Sequence, residues 1–125
     1  MSFCKCLRPN KKKSGPKTPE RLLVDWESAF INCQEDSELV KELFSYLVSG
    51  LNESTEQITK DYKNLNYKNV SDVAHRIKGD SASLACEDLM FHAEKLQFNP
   101  KERVNVDNLL NSANKTIECV ENKYP

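Results

Sequence analysis

Proline is absent from residues 20–99, and glycine occurs only three times in the 125-residue chain. The two residue types that most often punctuate helices are thus kept out of most of the sequence. No alternating apolar and polar run bounded by turn dipeptides marks a strand. No apolar stretch approaches the ~18 residues of a membrane span. Residues Met1 to Leu7 lack the apolar core of a secretory signal, so the expected compartment is the cytoplasm, with the nucleus as an alternative. The five cysteines form no C-x-x-C pair and no zinc-type spacing with histidine. Cys33, Cys86 and Cys119 fall in amphipathic segments and read as small buried hydrophobes of a reduced chain, none of them catalytic. A phosphate loop of G-x-x-x-x-G-K-[ST] type and the kinase signature set are also missing, which excludes autonomous kinase activity.

Charge is unevenly placed. Residues 1–19 carry Lys5, Arg8, Lys11, Lys12, Lys13 and Lys17 and no acid, a balance of +6. The remaining twelve basic and nineteen acidic side chains leave residues 20–125 at −7. The first segment is poor in apolar residues and is expected to be a disordered basic tail. The basic residues of the body are scattered among acids, which gives no nucleic-acid footprint.

Residues 20–125 carry five helical patterns. The first, about 20–33, spaces Leu23, Trp26, Ala29, Phe30 and Cys33 by three and four. The second, about 36–63, opens at Asp36 or Ser37, both N-cap types, and holds Leu39, Val40, Leu43, Phe44, Leu47, Leu51, Ile58 and Tyr62, with a kink expected at Gly50-Leu51-Asn52. The third, about 67–84, aligns Val70, Val73, Ala74, Ile77, Ser81 and Leu84. The fourth, about 86–98, has Leu89, Ala93 and Leu96. The fifth, about 103–122, has Val106, Leu109, Leu110, Ala113, Ile117 and Val120. Short connections imply antiparallel neighbours. The expected fold is all-α: an up-down four-helix bundle with a short additional N-terminal helix. No sustained heptad seam argues for a dimer, so a monomer is expected.

The third helix contains His75, one of two histidines. It lies about 200° from Val73 and Ile77, off the apolar stripe. Lys78 and Gly79 follow at i+3 and i+4, on the same face. Glycine inside a helix costs roughly 1 kcal/mol relative to alanine, so Gly79 needs a compensating reason. Access is that reason: no Cβ stands between the imidazole and an approaching partner. A neutral imidazole is a good nucleophile near pH 7, and the lysine beside it suits a histidine that must carry an anion. His92 has no such frame and reads as structural or solvent-facing.

His75, Lys78, Gly79, Ser81 and Leu84 form the pattern H-x-x-K-G-x-S-x-x-L. This pattern, with the helix count, resembles the histidine-containing phosphotransfer (HPt) domain family from about Val24 to about Asn122. Phe91 to Gln97 also resembles helix four of its stand-alone eukaryotic type, where a glutamine twenty-two positions after the histidine faces the imidazole; Gln97 has that spacing. The resemblance implies a phosphorelay intermediate. His75 accepts a phosphoryl group from a receiver-domain phospho-aspartate and passes it to another receiver. Lys78 neutralises phosphoryl oxygens, Gln97 orients the imidazole or binds an oxygen, and Gly79 gives clearance. No cofactor is expected on this chain, since the receiver supplies Mg²⁺; the implied partners are receiver domains and a hybrid histidine kinase. The exposed edge of the first helix, Leu22 and Val24, together with residues flanking the histidine, is the expected docking surface.

Two residues depart from the family pattern: Ala85 stands where glycine is usual, and Asp80 where a small residue is. They support the alternative of a non-catalytic adaptor that binds receivers. A second alternative, a membrane-recruited scaffold, rests on Cys4 and Cys6. Two acylated cysteines beside Lys11, Lys12 and Lys13 would supply the two signals that stable peripheral anchoring needs.

Overall fold

The computed structural model describes residues 21–125, and the expectations for the basic tail, Cys4 and Cys6 among them, fall outside that range. Five helices follow in order: α1 Trp26–Asn32, α2 Ser37–Lys63, α3 Tyr67–Ser83, α4 Glu87–Phe98 and α5 Arg103–Lys123. The last four form the up-down bundle. Each packs on two neighbours in the cyclic order α2, α3, α4, α5, and α3 packs most extensively on α4.

α1 is shorter than its periodicity suggested. It begins at the cap Asp25, whose carboxylate accepts from the Ser28 N–H at 3.2 Å and the Ser28 hydroxyl at 2.8 Å. The residues before it spend their hydrogen bonds on the α3–α4 corner instead of a helix. Asp25 N donates to Ala85 O at 3.0 Å, Asp88 N donates to Leu22 O at 3.0 Å, and Leu22 N donates to Glu87 Oε1 at 3.1 Å. α2 opens on Asp36, which accepts from Glu38 N and Leu39 N. It runs helical through Gly50 to Lys63; a lone glycine removes no backbone hydrogen bond, so the ladder continues.

The first three helices end alike. After α3, Ala85 N donates to Ala82 O and Cys86 N to Ser81 O, with Ala85 at φ 56°. After α2, Leu65 N donates to Tyr62 O and Asn66 N to Asp61 O, with Leu65 at φ 62°. After α1, Gln34 N donates to Ile31 O and Glu35 N to Phe30 O, with Gln34 at φ 60°. These are Schellman closures, which favour glycine at the left-handed position. Here none of the three is glycine. The left-handed backbone at position 85 is the conformation in which glycine is the favoured residue.

The core is one cluster. All six apolar-stripe residues of α3 are buried, from Val70 and Ala74 at 0 % to Leu84 at 4 % exposure. Phe44 of α2 is fully buried, with its ring 5.0 Å from Trp26 and 6.3 Å from Tyr124, and so ties α1 and the C-terminus to the bundle. Phe30 and Leu39, placed in the apolar pattern, are only partly covered, at 38 % and 36 % exposure. Cys33 and Cys86 are free and buried, and burial pushes the Cys86 thiol up to about 12. Cys119 is buried as well.

Candidate functional site on α3

Asn66 caps α3 by accepting from Asn69 N at 3.3 Å. The apolar stripe then fixes the rotation of the helix, because burying Val70, Ala74 and Ile77 turns position 75 outward. His75 is exposed and makes no hydrogen bond or ion pair with the described residues. Gly79 is exposed one turn on, and a Cβ built on it would meet nothing within 4 Å. Ala82, the next residue along this face, is exposed as well.

Two side-chain links to α4 bracket the histidine. One turn before it, the Ser71 hydroxyl donates to the Gln97 backbone carbonyl at 2.8 Å. One turn after it, the Lys78 ammonium lies 3.7 Å from Glu94 Oε2. His75 therefore stands on the rim of the α3–α4 groove with a cation on the groove side. Gln97 sits on α4 at the Ser71 link to α3. Its side-chain Oε1 is buried without a hydrogen-bond partner, and no hydrogen bond joins it to His75. An acceptor left unpaired in this way costs about 1–3 kcal/mol. The sequence reading named Lys78 and Gln97 but missed Ser71 and Glu94. Glu94 lies three residues before Gln97 and so shares its face, but its pairing with Lys78 depends on the α3–α4 register.

Asp80 sits elsewhere. It lines a cleft of about 180 Å³ between α2 and α3 with Leu43, Tyr46, Leu47, Ser83 and Leu84. That cleft lies on the α2 side of α3, whereas Lys78 and Glu94 meet on the α4 side. The expected docking edge is corrected here. Val24 is fully buried, Leu22 is half-buried, and both precede α1 in the segment pinned to the α3–α4 corner. The exposed apolar surface of this region belongs to Phe30 and Ile31 of α1 and to Leu39 and Tyr46 of α2.

His92 faces the opposite side of α4. Its Nε2 is 3.6 Å from Asp88 Oδ1, in a cluster where Asp88 also accepts from Arg21 Nε at 3.0 Å and from the Ser112 hydroxyl at 2.8 Å. Burial lowers the His92 pKa below its ordinary 6.5. Asp88 opposes that shift, while Arg21, Lys115 and Lys95 add to it. The Arg21 guanidinium stacks 3.7 Å above the Phe91 ring. Among the described residues no group of three or more His, Cys, Asp or Glu side chains gathers as a metal site, and no helix is long and apolar enough to cross a membrane.

In fold the chain is similar to a histidine-containing phosphotransfer domain. The crystal structure of the HPt domain from a hybrid histidine kinase sensor of Shewanella superposes with a TM-score of 0.73, at 15 % identity, over 81 % of this chain and 92 % of that one. By sequence the chain is 34 % identical over 95 residues to the phosphorelay intermediate protein YPD1 of Candida albicans. That match takes in 74 % of this chain, and the chain spans about half the length of the relative, 51 %. No family model matches.

Proposed function

We propose that the chain is a phosphoryl carrier of a multistep phosphorelay, with His75 as the phosphoacceptor. The observation that carries this reading is an exposed, unpaired imidazole beside a helical glycine with open space in front of it. The unprotonated ring nitrogen attacks the phosphorus of a receiver phospho-aspartate. A P–N bond forms as the acyl P–O bond breaks, and the aspartate leaves as a carboxylate. The phosphoramidate then yields its phosphoryl group to a second receiver by the reverse exchange. Phosphoryl transfer depends chiefly on positioning and charge neutralisation. Lys78 is close enough to the imidazole along the helix to neutralise phosphoryl oxygens, and the free Oε1 of Gln97 is an acceptor for an imidazole N–H. Mg²⁺ belongs to the receiver. The partners are receiver domains, with a hybrid histidine kinase upstream, and they dock on the apolar surface of α1 and α2 beside α3. The adaptor alternative gains little from the two departures: Asp80 lines the cleft on the α2 side of α3, and Ala85 keeps the Schellman closure.

Incubation with a phosphorylated receiver and Mg²⁺ tests the reading. The expected result is acid-labile, alkali-stable phosphate on the wild type and none on His75→Gln. An unlabelled wild type that still binds the receiver would establish the adaptor instead.

A further inference from the structure

The residue that Lys78 touches is an acid. Its ammonium lies 3.7 Å from Glu94 Oε2, with the two side chains 33 % and 51 % exposed. Every other ion pair among the described residues lies away from the groove: Arg21–Asp88, His92–Asp88, Lys68–Asp72 and Arg103–Asp107. Lys78–Glu94 alone bridges α3 and α4 on the His75 side. A cation reserved for phosphate is thus already engaged by a carboxylate on the neighbouring helix. Glu94 stands on a helix held by the fully buried Leu89, Ala93 and Leu96, and the long stem of Lys78 reaches across to it.

We infer that Glu94 is a positioning residue that competes with the phosphoryl group for Lys78. This rests on the phosphoacceptor reading of His75. In the unphosphorylated protein Glu94 holds the ammonium over the α3–α4 groove and off the face by which a partner reaches the imidazole. When His75 gains a phosphoryl group, the lysine is shared between two anions. Phospho-His75 is then less stabilised than it would be by an uncommitted lysine. The effect suits a carrier, which must give up its phosphoryl group as readily as it takes it. The pair is solvent-exposed, and such pairs contribute little, so the device is a bias and not a lock. It also weakens with salt, because exposed charges are screened.

The test measures the equilibrium share of phosphate held on the carrier against a fixed receiver, and the lifetime of isolated phospho-His75, in the full chain. The variants are wild type, His75→Gln, Glu94→Gln, Lys78→Met and the Glu94→Gln/Lys78→Met double variant. Glu94→Gln is expected to raise the carrier-bound share and the lifetime by about two- to fivefold, with a smaller gain at high salt. In the Lys78→Met background the same change is expected to do nothing. No gain in Glu94→Gln overturns the inference while leaving His75-dependent labelling intact. An equal gain with and without Lys78 also overturns it, since Glu94 would then repel the phosphate directly. A wild type that takes no His75-dependent label overturns the proposed function, and the inference falls with it.

Discussion

Gly79 is where fold and function pull apart. A helix interior favours alanine over glycine by roughly 1 kcal/mol, and at this position an added Cβ meets nothing within 4 Å. Gly79→Ala is therefore expected to raise the denaturant midpoint by an amount worth about 0.5–1 kcal/mol. The same methyl stands one turn from His75, on the approach of a receiver, and is expected to slow phosphotransfer. Stability by chemical denaturation and transfer rate, measured on one preparation, check both halves. A second residue-scale prediction concerns His92. Its folded pKa is lowered by burial, so the unfolded chain binds the extra proton more readily. Folding stability is then fully present above the ordinary 6.5 and declines as pH falls through 6.5 toward the lowered folded value. His92→Gln should flatten that segment of the stability profile relative to wild type, while the carboxylate-driven loss at lower pH remains.

At the scale of elements, the helix ends carry unused stability. Leu65 and Ala85 hold left-handed backbone at φ 62° and 56° in Schellman closures. That region costs an L-residue roughly 1–2 kcal/mol, of which glycine would return about 1 after its larger unfolded-state entropy. Leu65→Gly and Ala85→Gly are each expected to stabilise the protein by about 1 kcal/mol, additively, because the two turns lie at opposite ends of α3. Thermal or denaturant unfolding of the singles and the double checks this; a loss on Ala85→Gly would show that its half-buried methyl packs better than its backbone sits. The helix boundaries show the same contrast between pattern and closure. Asp36 and the α3 stripe were legible because caps and the 3.6-residue period are local signals. The late start of α1 was not, because residues 21–25 are held by Ala85, Glu87 and Asp88, sixty or more positions away.

For the whole molecule, α3 is the pivot. It packs on α2 on one side and most extensively on α4 on the other, and the two sides have different surfaces. Toward α4 lie Ser71, Lys78, Glu94 and Gln97, polar groups arranged around His75. Toward α2 lie the cleft with Leu43 and Tyr46 and, beyond it, the exposed apolar residues of α1. One face thus holds the groups suited to the phosphoryl chemistry and the adjacent one holds surface suited to a protein partner. The asymmetry follows from a square bundle in which each of the four helices packs extensively on two of the other three, leaving an outward arc of α3 uncovered.

The sequence by itself determined the helical class, the order of the five helices, the stripe that buries Val70 to Leu84, and the outward rotation of His75 with Lys78 and Gly79 beside it. All of these are consequences of spacing within one helix, and spacing is written in the chain. The tertiary structure alone decided what faces the histidine from outside α3. The Lys78–Glu94 pair, the Ser71 link to the Gln97 carbonyl, the burial of Val24 and the α2-side placement of Asp80 all depend on the register and rotation of packed helices. Those are set by how the whole core interlocks, and no local pattern encodes them.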